Sequence, residues 1–291
     1  MGAAKQSRRT SRTRSRLRHT AGVTGRRRIE NDRFLRSMYL VRDQVPDFTK
    51  YPFSIPAIRS LEELKLDAAV TFFVGDNGSG KSTLVEAIAV AAGFNAEGGS
   101  RNFNFHTRRS ESELHKFIRL VRGVRRPRDG YFLRAESFFN VATEVERLGA
   151  QVLESHGGTS LHEQSHGESF LQLATSRFGD NGLYLLDEPE AALSPQRQLS
   201  LLSIIHQLAS QGTQFLVATH SPILMAYPGA LIYQLGVNGI SRVAYEDTEH
   251  FQITRDFLNG RERYFRHLLG TETEAAGSDP SPSAKATKTR R

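Results

Sequence analysis

The stretch GDNGSGKS, residues 75–82, joins an apolar run to a helical pattern. The run before it, AVTFFV (69–74), is continuously apolar, as in a strand that is buried on both faces of a sheet. The residues after it, KSTLVEAIAVAAG (81–93), predict a helix that ends at Gly93. The stretch matches the phosphate-binding pattern G-x-x-x-x-G-K-[ST] completely, in the strand–loop–helix context that this pattern requires.

This loop has the residue types that hold a nucleotide phosphate. Its glycines let backbone N–H groups turn inward around phosphate oxygens, and the following helix directs its positive end at them. We expect Lys81 to reach the β- and γ-phosphates and Ser82 to offer a hydroxyl to Mg²⁺, a cation that prefers oxygen ligands. The expected cofactors are ATP and Mg²⁺. The expected nucleotide-binding residues are Gly75, Asp76, Asn77, Gly78, Ser79, Gly80, Lys81, Ser82 and Thr83.

Two later apolar runs end in polar residues that fit phosphate hydrolysis. LYLLDEPE (183–190) ends in acids, of which Asp187 is expected to act as a Mg²⁺ ligand and Glu188 to polarise the attacking water. QFLVAT (214–219) is followed by His220, which could hydrogen-bond the γ-phosphate. We therefore expect Lys81, Glu188 and His220 to be the catalytic residues.

The order of strand and helix patterns predicts the fold class. Apolar runs alternate with helical patterns such as PQRQLSLLSIIHQLASQG (195–212), as in parallel α/β proteins. We expect an α/β fold with a mainly parallel sheet flanked by helices and a smaller lid region. The expected organisation is one ATPase domain over residues 34–270, between a disordered basic arm (1–33) and a disordered tail (271–291).

The net charge of +8 comes from the two ends of the chain. Residues 1–28 contain nine Arg and one Lys with no acid, and residues 275–291 contain four Lys or Arg against Asp279, so the residues between them carry −5. The arm is either a solvated leader or an electrostatic contact for nucleic-acid phosphates. The basic segment 115–130 is interpreted as a solvated helix face and loop, with binding of nucleic acid or an effector protein as the alternative.

Composition excludes several kinds of site. The chain has no cysteine, so disulfides, thiolate metal sites and cysteine nucleophiles are excluded, and a reducing, cytoplasmic location is expected. No stretch of 18 apolar residues occurs, so membrane insertion is not expected.

The stretch LHEQSHGESFL (161–171) has two incompatible interpretations. HEQSH (162–166) fits H-E-x-x-H, a zinc-binding pattern that requires a helix. SHGE (165–168) fits S-x-G-E, a phosphate-contacting turn. The neighbouring sequence is rich in glycine, and Gly167 would end a helix at the second zinc ligand. We therefore favour the phosphate-contacting turn, with a helix that begins near Glu168.

The order of these motifs, from the P-loop through S-x-G-E and L-L-D-E-P to T-H-S-P, resembles that of ABC-type ATPases. The resemblance covers residues 34–266 and is nearest to the Rad50/SMC-like or OLD-like branch and to related small stand-alone ATPases. It implies an ATP-dependent homodimer in which Ser165 and Gly167 contact the ATP that the other subunit holds. The chain departs from the family pattern at His166, the first signature glycine, and at Ser194, the usual aspartate of the D-loop.

Two further family positions have weaker candidates. The Q-loop glutamine would follow the strand GYFLRA (130–135), which makes Glu136 the candidate. The aromatic residue that stacks on adenine would be Tyr51 or Phe53.

The work that hydrolysis drives has competing interpretations. S-x-G-E, with Glu168 where the transporter signature has glutamine, and the basic segments favour a soluble DNA-repair or defence ATPase that acts with an effector. An ATP-binding subunit of a membrane transporter is the alternative. The intact pair Asp187 and Glu188 argues against a nucleotide switch that does not hydrolyse.

Overall fold

The computed structural model describes residues 33–100, 112–136 and 166–270. The strands in these ranges are β1 (Leu35–Leu40), β2 (Glu63–Lys65), β3 (Val70–Val74), β4 (Gly99–Ser100), β5 (Ile118–Arg122), β6 (Asp129–Arg134), β7 (Gly182–Asp187), β8 (Gln214–Ala218), β9 (Leu231–Gly236) and β10 (Gly239–Val243). The α-helices are α1 (Pro56–Arg59), α2 (Lys81–Ala92), α3 (His166–Arg177), α4 (Pro195–Ser210), α5 (Pro222–Met225), α6 (Glu249–Asn259) and α7 (Arg261–Leu269).

Seven of these strands form the main sheet, in the order β10-β9-β3-β8-β7-β6-β4. The five central strands from β9 to β6 are parallel to one another, and the edge strands β10 and β4 are antiparallel to them. The strands β2, β1 and β5 form a separate antiparallel sheet. The predicted α/β fold with a mainly parallel sheet is thus confirmed.

Both faces of the main sheet are covered, which explains the continuous apolar runs. Phe73 belongs to the apolar cluster on the face that packs against α2 and the small sheet. Its neighbours Phe72 and Val74 point to the opposite face and join a second cluster with residues of α3 and α4. Because successive side chains of a strand alternate between faces, a strand covered on both sides is apolar at most of its positions.

A buried glutamine joins the small sheet to the main sheet. Gln214, at the start of β8, is fully buried, and its Oε1 accepts a hydrogen bond from Leu35 N at 2.9 Å. Its Nε2 donates to Leu35 O at 2.8 Å and to Leu66 O at 2.5 Å. One side chain therefore satisfies backbone groups at the start of β1 and after β2.

The predicted helices begin and end close to their expected positions. Gly93 ends α2 with a φ of 97°, and the Ser194 hydroxyl accepts a hydrogen bond from Arg197 N at the start of α4. The described part of helix α3 already includes His166, two residues before the expected start at Glu168. No helix in the described ranges is long and apolar enough to cross a bilayer.

The helical interpretation of segment 115–130 is wrong. After a 3₁₀ turn at Glu113–Lys116, residues 118–122 form β5, which pairs with β1. Ile118 is buried, Arg119 is exposed and Leu120 is partly buried, and this alternation is typical of a strand. Two arginines of this segment, Arg119 and Arg122, lie in β5, and both are exposed. The N-terminal arm up to residue 32 and the tail 271–291 lie outside the described residues, and the domain boundaries remain predictions.

Candidate active site

Three parallel strands of the main sheet bring the predicted site residues to one edge. Strand β8 lies between β3 and β7, and Ala218 is in register with both Phe73 and Asp187. The P-loop follows β3, Glu188 follows β7, and His220 lies two residues beyond β8. Because carboxyl ends of parallel strands meet at the same edge, the sheet gathers residues that are far apart in the sequence.

The P-loop backbone needs glycine at its first and last turns. Gly75 has a φ of 143°, and a Cβ there would collide with the carbonyl oxygen of Leu235 on β9. Gly80 has a φ of 99° and lies directly before α2. The hydroxyl of Ser79 is buried and has no hydrogen-bond partner among the described residues. A small cavity of about 160 Å³ on this loop is lined by Tyr51, Ile55, Asn77, Gly78, Gly80, Lys81, Ser82, Thr83 and Glu188.

Lys81 is a buried cation that faces several carboxylates. Its side chain is 3% exposed, and Nζ donates to Gly75 O at 2.9 Å and Asp76 O at 3.0 Å, while Asp76 itself is exposed. Burial lowers the pKa of Lys81, and the negative charges of Glu188, Asp187 and Glu190 oppose this shift. The ammonium group therefore lies where phosphate oxygens could replace the two carbonyl acceptors.

Asp187 fits a divalent cation. It is 5% exposed, and burial raises its pKa to about 6, although the Arg134 charge and the Ser82 hydroxyl act in the opposite direction. Its Oδ1 is buried with no hydrogen-bond partner in the described parts of the chain. A free carboxylate oxygen beside a serine hydroxyl is a suitable ligand pair for Mg²⁺.

An arginine that sequence reasoning missed lies beside Asp187. Arg134, at the end of β6, places Nη1 2.6 Å from Glu86 Oε2 and Nε 3.5 Å from Asp187 Oδ2. Glu86 is a buried acid in the apolar helix α2, and its Oε1 also accepts from Ser112 N at 2.8 Å. The sequence did contain a sign of this pair, because Arg134 and Glu86 are charged residues within otherwise apolar patterns. The Q-loop candidate Glu136 has an 85% exposed side chain, 3.6 Å from Arg134 Nη2.

Glu188 and His220 face each other across the strand ends. Glu188 has a φ of 52° and a ψ of 51°, a left-handed conformation that is uncommon outside glycine and concentrates at functional sites. Its Oε1 lies 3.3 Å from His220 Nε2. Burial is the largest cause that lowers the pKa of His220, and the charge of Lys81 lowers it further. The structure thus brings Lys81, Asp187, Glu188 and His220 together.

Two further residues hold His220, and neither was predicted. Glu190 Oε1 accepts a hydrogen bond from His220 N at 2.5 Å, so the third acid of LYLLDEPE fixes the backbone after β8. Burial raises the pKa of Glu190. On the other side, His250 Nε2 lies 3.0 Å from His220 Nδ1. No motif marks His250, because α6 brings it to the site from far along the chain.

Gly167 does not line the P-loop cavity of its own chain. In the first turn of α3, a Cβ at Gly167 would lie 2.7 Å from Ala192 O and 2.6 Å from Arg197 Nη1. Arg197 also pairs with Glu168 at 2.9 Å. Gly167 is therefore packed against α4 and the turn before it. Residues 162–165 of both interpretations of this stretch, including Ser165, lie outside the described residues.

The two adenine-contact candidates differ in their environment. Phe53 is 3% exposed and packs edge-on against Phe117, with ring centroids 5.1 Å apart. Tyr51 is 66% exposed, lines the P-loop cavity, and places its hydroxyl 3.3 Å from Thr83 Oγ1. Tyr51 is therefore accessible to a ligand, whereas Phe53 is part of the apolar core.

Comparison with known proteins gives matches along most of the described chain. Residues 53–167 match the family model "AAA domain", and residues 129–226 match "AAA domain, putative AbiEii toxin, Type IV TA system". A protein of Caldanaerobacter subterraneus subsp. tengcongensis named "Putative ABC transporter ATP-binding protein" is 30% identical over 189 residues, which are 58% of this chain and 77% of that protein.

Two of the solved structures that match this chain are the following. An SMC head domain from Thermotoga maritima is 17% identical, covers 72% of this chain and 99% of its own, and has a TM-score of 0.40. The cbiO1 component of an ABC transporter complex from Clostridium perfringens is 14% identical, covers 72% and 90%, and has a TM-score of 0.38.

The relative from C. subterraneus is 30% identical, and this chain covers more than two thirds of its length. The P-loop, L-L-D-E-P and T-H-S-P motifs meet at one edge of a mainly parallel sheet. The chain belongs to the ABC-type P-loop ATPases and is an ATP-binding, ATP-hydrolysing enzyme.

Proposed function

We propose that the edge formed by β3, β7 and β8 is the site at which this protein hydrolyses ATP with Mg²⁺. The observation that carries this proposal is the meeting of Lys81, Asp187, Glu188 and His220 at the ends of these strands. Lys81 binds the β- and γ-phosphates, and Asp187 and Ser82 hold the cation. When bound, Mg²⁺ neutralises negative charge on the phosphates.

Glu188 and His220 divide the remaining work. The carboxylate of Glu188 orients the attacking water and accepts its proton. His220 donates a hydrogen bond to the γ-phosphate from Nε2, the nitrogen that faces Glu188. Burial of Lys81 and Asp187 strengthens the electrostatic contacts, because charges interact more strongly where water is excluded.

The proposed hydrolysis site is tested with two variants that separate binding from turnover. Lys81→Ala removes the phosphate-binding cation and should abolish ATP binding. Glu188→Gln keeps the binding residues and should bind ATP while turnover falls about 100-fold or more. Lys65→Ala, on an exposed side chain of β2, is the matched control and should behave as wild type. Wild-type turnover by the Lys81 or the Glu188 variant would refute the assignment.

A second copy of the chain completes the site in this proposal. The P-loop cavity of one chain is only about 160 Å³, whereas pockets that enclose a ligand of drug size are about 300–1,000 Å³. In this proposal further walls come from outside the described part of one chain. Gly167 packs against its own α4 and does not line this cavity, and in this proposal the S-x-G-E turn faces the ATP of a partner.

For the biological role, we propose a cytoplasmic DNA-repair or defence ATPase that works with an effector protein. The family description that names a toxin system and the S-x-G-E sequence support this role. The alternative is a subunit that energises a membrane transporter, and the printed name of the C. subterraneus relative favours it. If the protein is found in the membrane fraction of its own cells and only detergent releases it, the transporter role is favoured.

Binding of nucleic acid is proposed through the basic N-terminal arm. Its ten cationic residues would contact phosphates, so affinity should fall steeply with salt and depend little on sequence. Deleting residues 1–28 should weaken duplex binding and reduce the salt slope by about 0.9 for each phosphate that the arm neutralises in the full-length chain. ATPase activity without DNA should survive the deletion. Equal affinity and slope for the truncated and full-length chains would contradict the proposal.

A further inference from the structure

The imidazole of His220 has a second histidine on its far side. His250 lies in the first turn of α6, and its Nε2 is 3.0 Å from His220 Nδ1. The two rings are tilted by 59°, with centroids 5.1 Å apart. On its other side, His220 Nε2 is 3.3 Å from Glu188 Oε1. Glu188, His220 and His250 therefore form a continuous row that leads away from the hydrolysis site.

The partners of His220 specify which of its nitrogens carries the hydrogen. A carboxylate offers only acceptor oxygens, so a lone pair at His220 Nε2 would face the oxygen of Glu188 unfavourably. Hydrogen at Nε2 makes that contact attractive, and it leaves Nδ1 of a neutral ring as an acceptor. The donor to Nδ1 must then be His250 Nε2–H. The other nitrogen of His250, Nδ1, has no hydrogen-bond partner among the described residues and becomes a bare acceptor.

The surroundings of both rings agree with this arrangement. Burial is the largest cause that lowers the pKa of each histidine, which favours the neutral forms that the row requires. The opposite arrangement would place an N–H at His250 Nδ1, which is buried without a hydrogen-bond partner among the described residues. His220 Nε2 likewise makes no hydrogen bond of good geometry there, but it has the Glu188 carboxylate 3.3 Å away to attract its N–H.

Helix α6 holds His250 in place. The residue before the helix, Thr248, is fully buried, and its hydroxyl donates to Tyr245 O at 2.7 Å and lies 3.4 Å from Met225 Sδ. One turn into the helix, the ring of Phe251 contacts Tyr245, with centroids 4.5 Å apart. These contacts fix the start of α6, and with it the backbone of His250, against the segments after β8 and β10.

We propose that His250 is a positioning residue that keeps His220 in the tautomer with hydrogen at Nε2 and aims that hydrogen at the hydrolysis site. Through this contact α6, which follows the last strand of the sheet, takes part in ATP hydrolysis. The inference rests on the proposed role of His220 as a donor to the γ-phosphate. It adds to that role a residue outside the recognised motifs.

Substitutions at His250 separate donation from simple packing. His250→Gln keeps an N–H close to the position of Nε2, whereas His250→Leu keeps bulk and removes the donor. The leucine variant should lose about tenfold or more in kcat with KM for ATP changed less than about threefold, because the contact acts on the transferring phosphate. The glutamine variant should stay within about threefold of wild type. The control is His267→Leu on the exposed face of α7, which should leave kcat unchanged.

The tautomer itself is measured by ¹H–¹⁵N spectra of the imidazoles in the full-length protein without nucleotide at pH 8. The signal of His220, assigned by its loss in His220→Gln, should show hydrogen at Nε2 in wild type and a shift toward Nδ1 in His250→Leu. Hydrogen at Nδ1 of His220 in the wild-type protein would overturn the proposal. Two kinetic results would also overturn it: an unchanged kcat in His250→Leu, or equal losses of kcat in His250→Leu and His250→Gln. Wild-type turnover by Glu188→Gln would instead refute the proposed hydrolysis site, and the spectrum would still decide the role of His250.

Discussion

The carboxylate of Asp187 lowers the stability of the folded protein when no metal is bound. It is almost completely buried, and one of its oxygens has no hydrogen-bond partner among the described residues. Burial raises its pKa to about 6 from the ordinary value of 3.8. Arg134 compensates only in part, because it is shared with Glu86 at a shorter distance. A site prepared for a cation is expected to be destabilising until the cation binds.

Asp187→Asn should therefore stabilise the metal-free protein at high pH and abolish Mg²⁺-dependent hydrolysis. A pKa raised by folding adds stability below the unfolded value, and this stability is lost as pH rises through about 6. At pH 8 the wild-type protein has lost this stability. A pKa difference of one between the folded and unfolded states corresponds to about 1.4 kcal/mol. The asparagine variant should therefore gain up to about 3 kcal/mol in free energy of unfolding. Urea unfolding in EDTA measures the difference.

The gain should shrink as the pH is lowered toward 4, where the wild-type carboxyl is protonated. Asp43→Asn, at an exposed position in the 3₁₀ turn after β1, is the matched control and should show no such gain. An Asp187→Asn protein that is less stable than wild type at pH 8, or a difference that does not change with pH, would contradict the account.

At the scale of elements, the two sheets depend on Gln214. Replacing it with leucine keeps the bulk but leaves Leu35 N, Leu35 O and Leu66 O without their buried partner. Each unpaired buried group costs about 1–3 kcal/mol, so Gln214→Leu should lower the free energy of unfolding by about 3 kcal/mol. Hydrogen exchange at the Leu35 amide should also become faster.

Gln207→Leu, on an exposed position of α4, is the matched control for this prediction. It removes the same side chain where no buried group depends on it, so its stability should stay close to wild type. If Gln214→Leu unfolds at the same urea concentration as this control, the glutamine does not join the sheets.

Elements specified by local patterns could be predicted from the sequence. Strand β3, the P-loop and α2 follow one another within residues 70–92, and apolar runs and glycines mark their ends. Strand β5 was missed because its arginines suggested a solvated helix, and because its partner β1 lies about 80 residues earlier in the chain. Pairing over such a separation depends on tertiary packing, which periodicity does not report.

The candidate site divides in the same way. Lys81, Asp187, Glu188 and His220 lie in short motifs at strand ends, so the sequence alone placed them. Arg134, Glu86 and His250 reach the site only through the fold, from β6, α2 and α6. Glu190 had a signal as the third acid of its motif, but its contact with the backbone of His220 is visible only in the structure.

At the scale of the whole molecule, the account requires two chains for one completed site. The P-loop cavity has a volume of only about 160 Å³, and Gly167 packs on the side of α4. If the S-x-G-E turn of a partner closes the site, ATP should hold two chains together for as long as it is not hydrolysed. Ligand binding then shifts the equilibrium toward the form that binds ATP more tightly, which is the dimer.

The mass of Glu188→Gln in solution tests this claim most directly. The variant should bind Mg²⁺-ATP without turning it over, so light scattering should give 32.5 kDa without nucleotide and twice that mass with it. Adding Ser165→Arg should return the protein to the mass of one chain, because the long cation would obstruct the contact with the ATP of the partner. A Glu188→Gln protein that binds ATP to saturation and still has the mass of one chain would contradict the account.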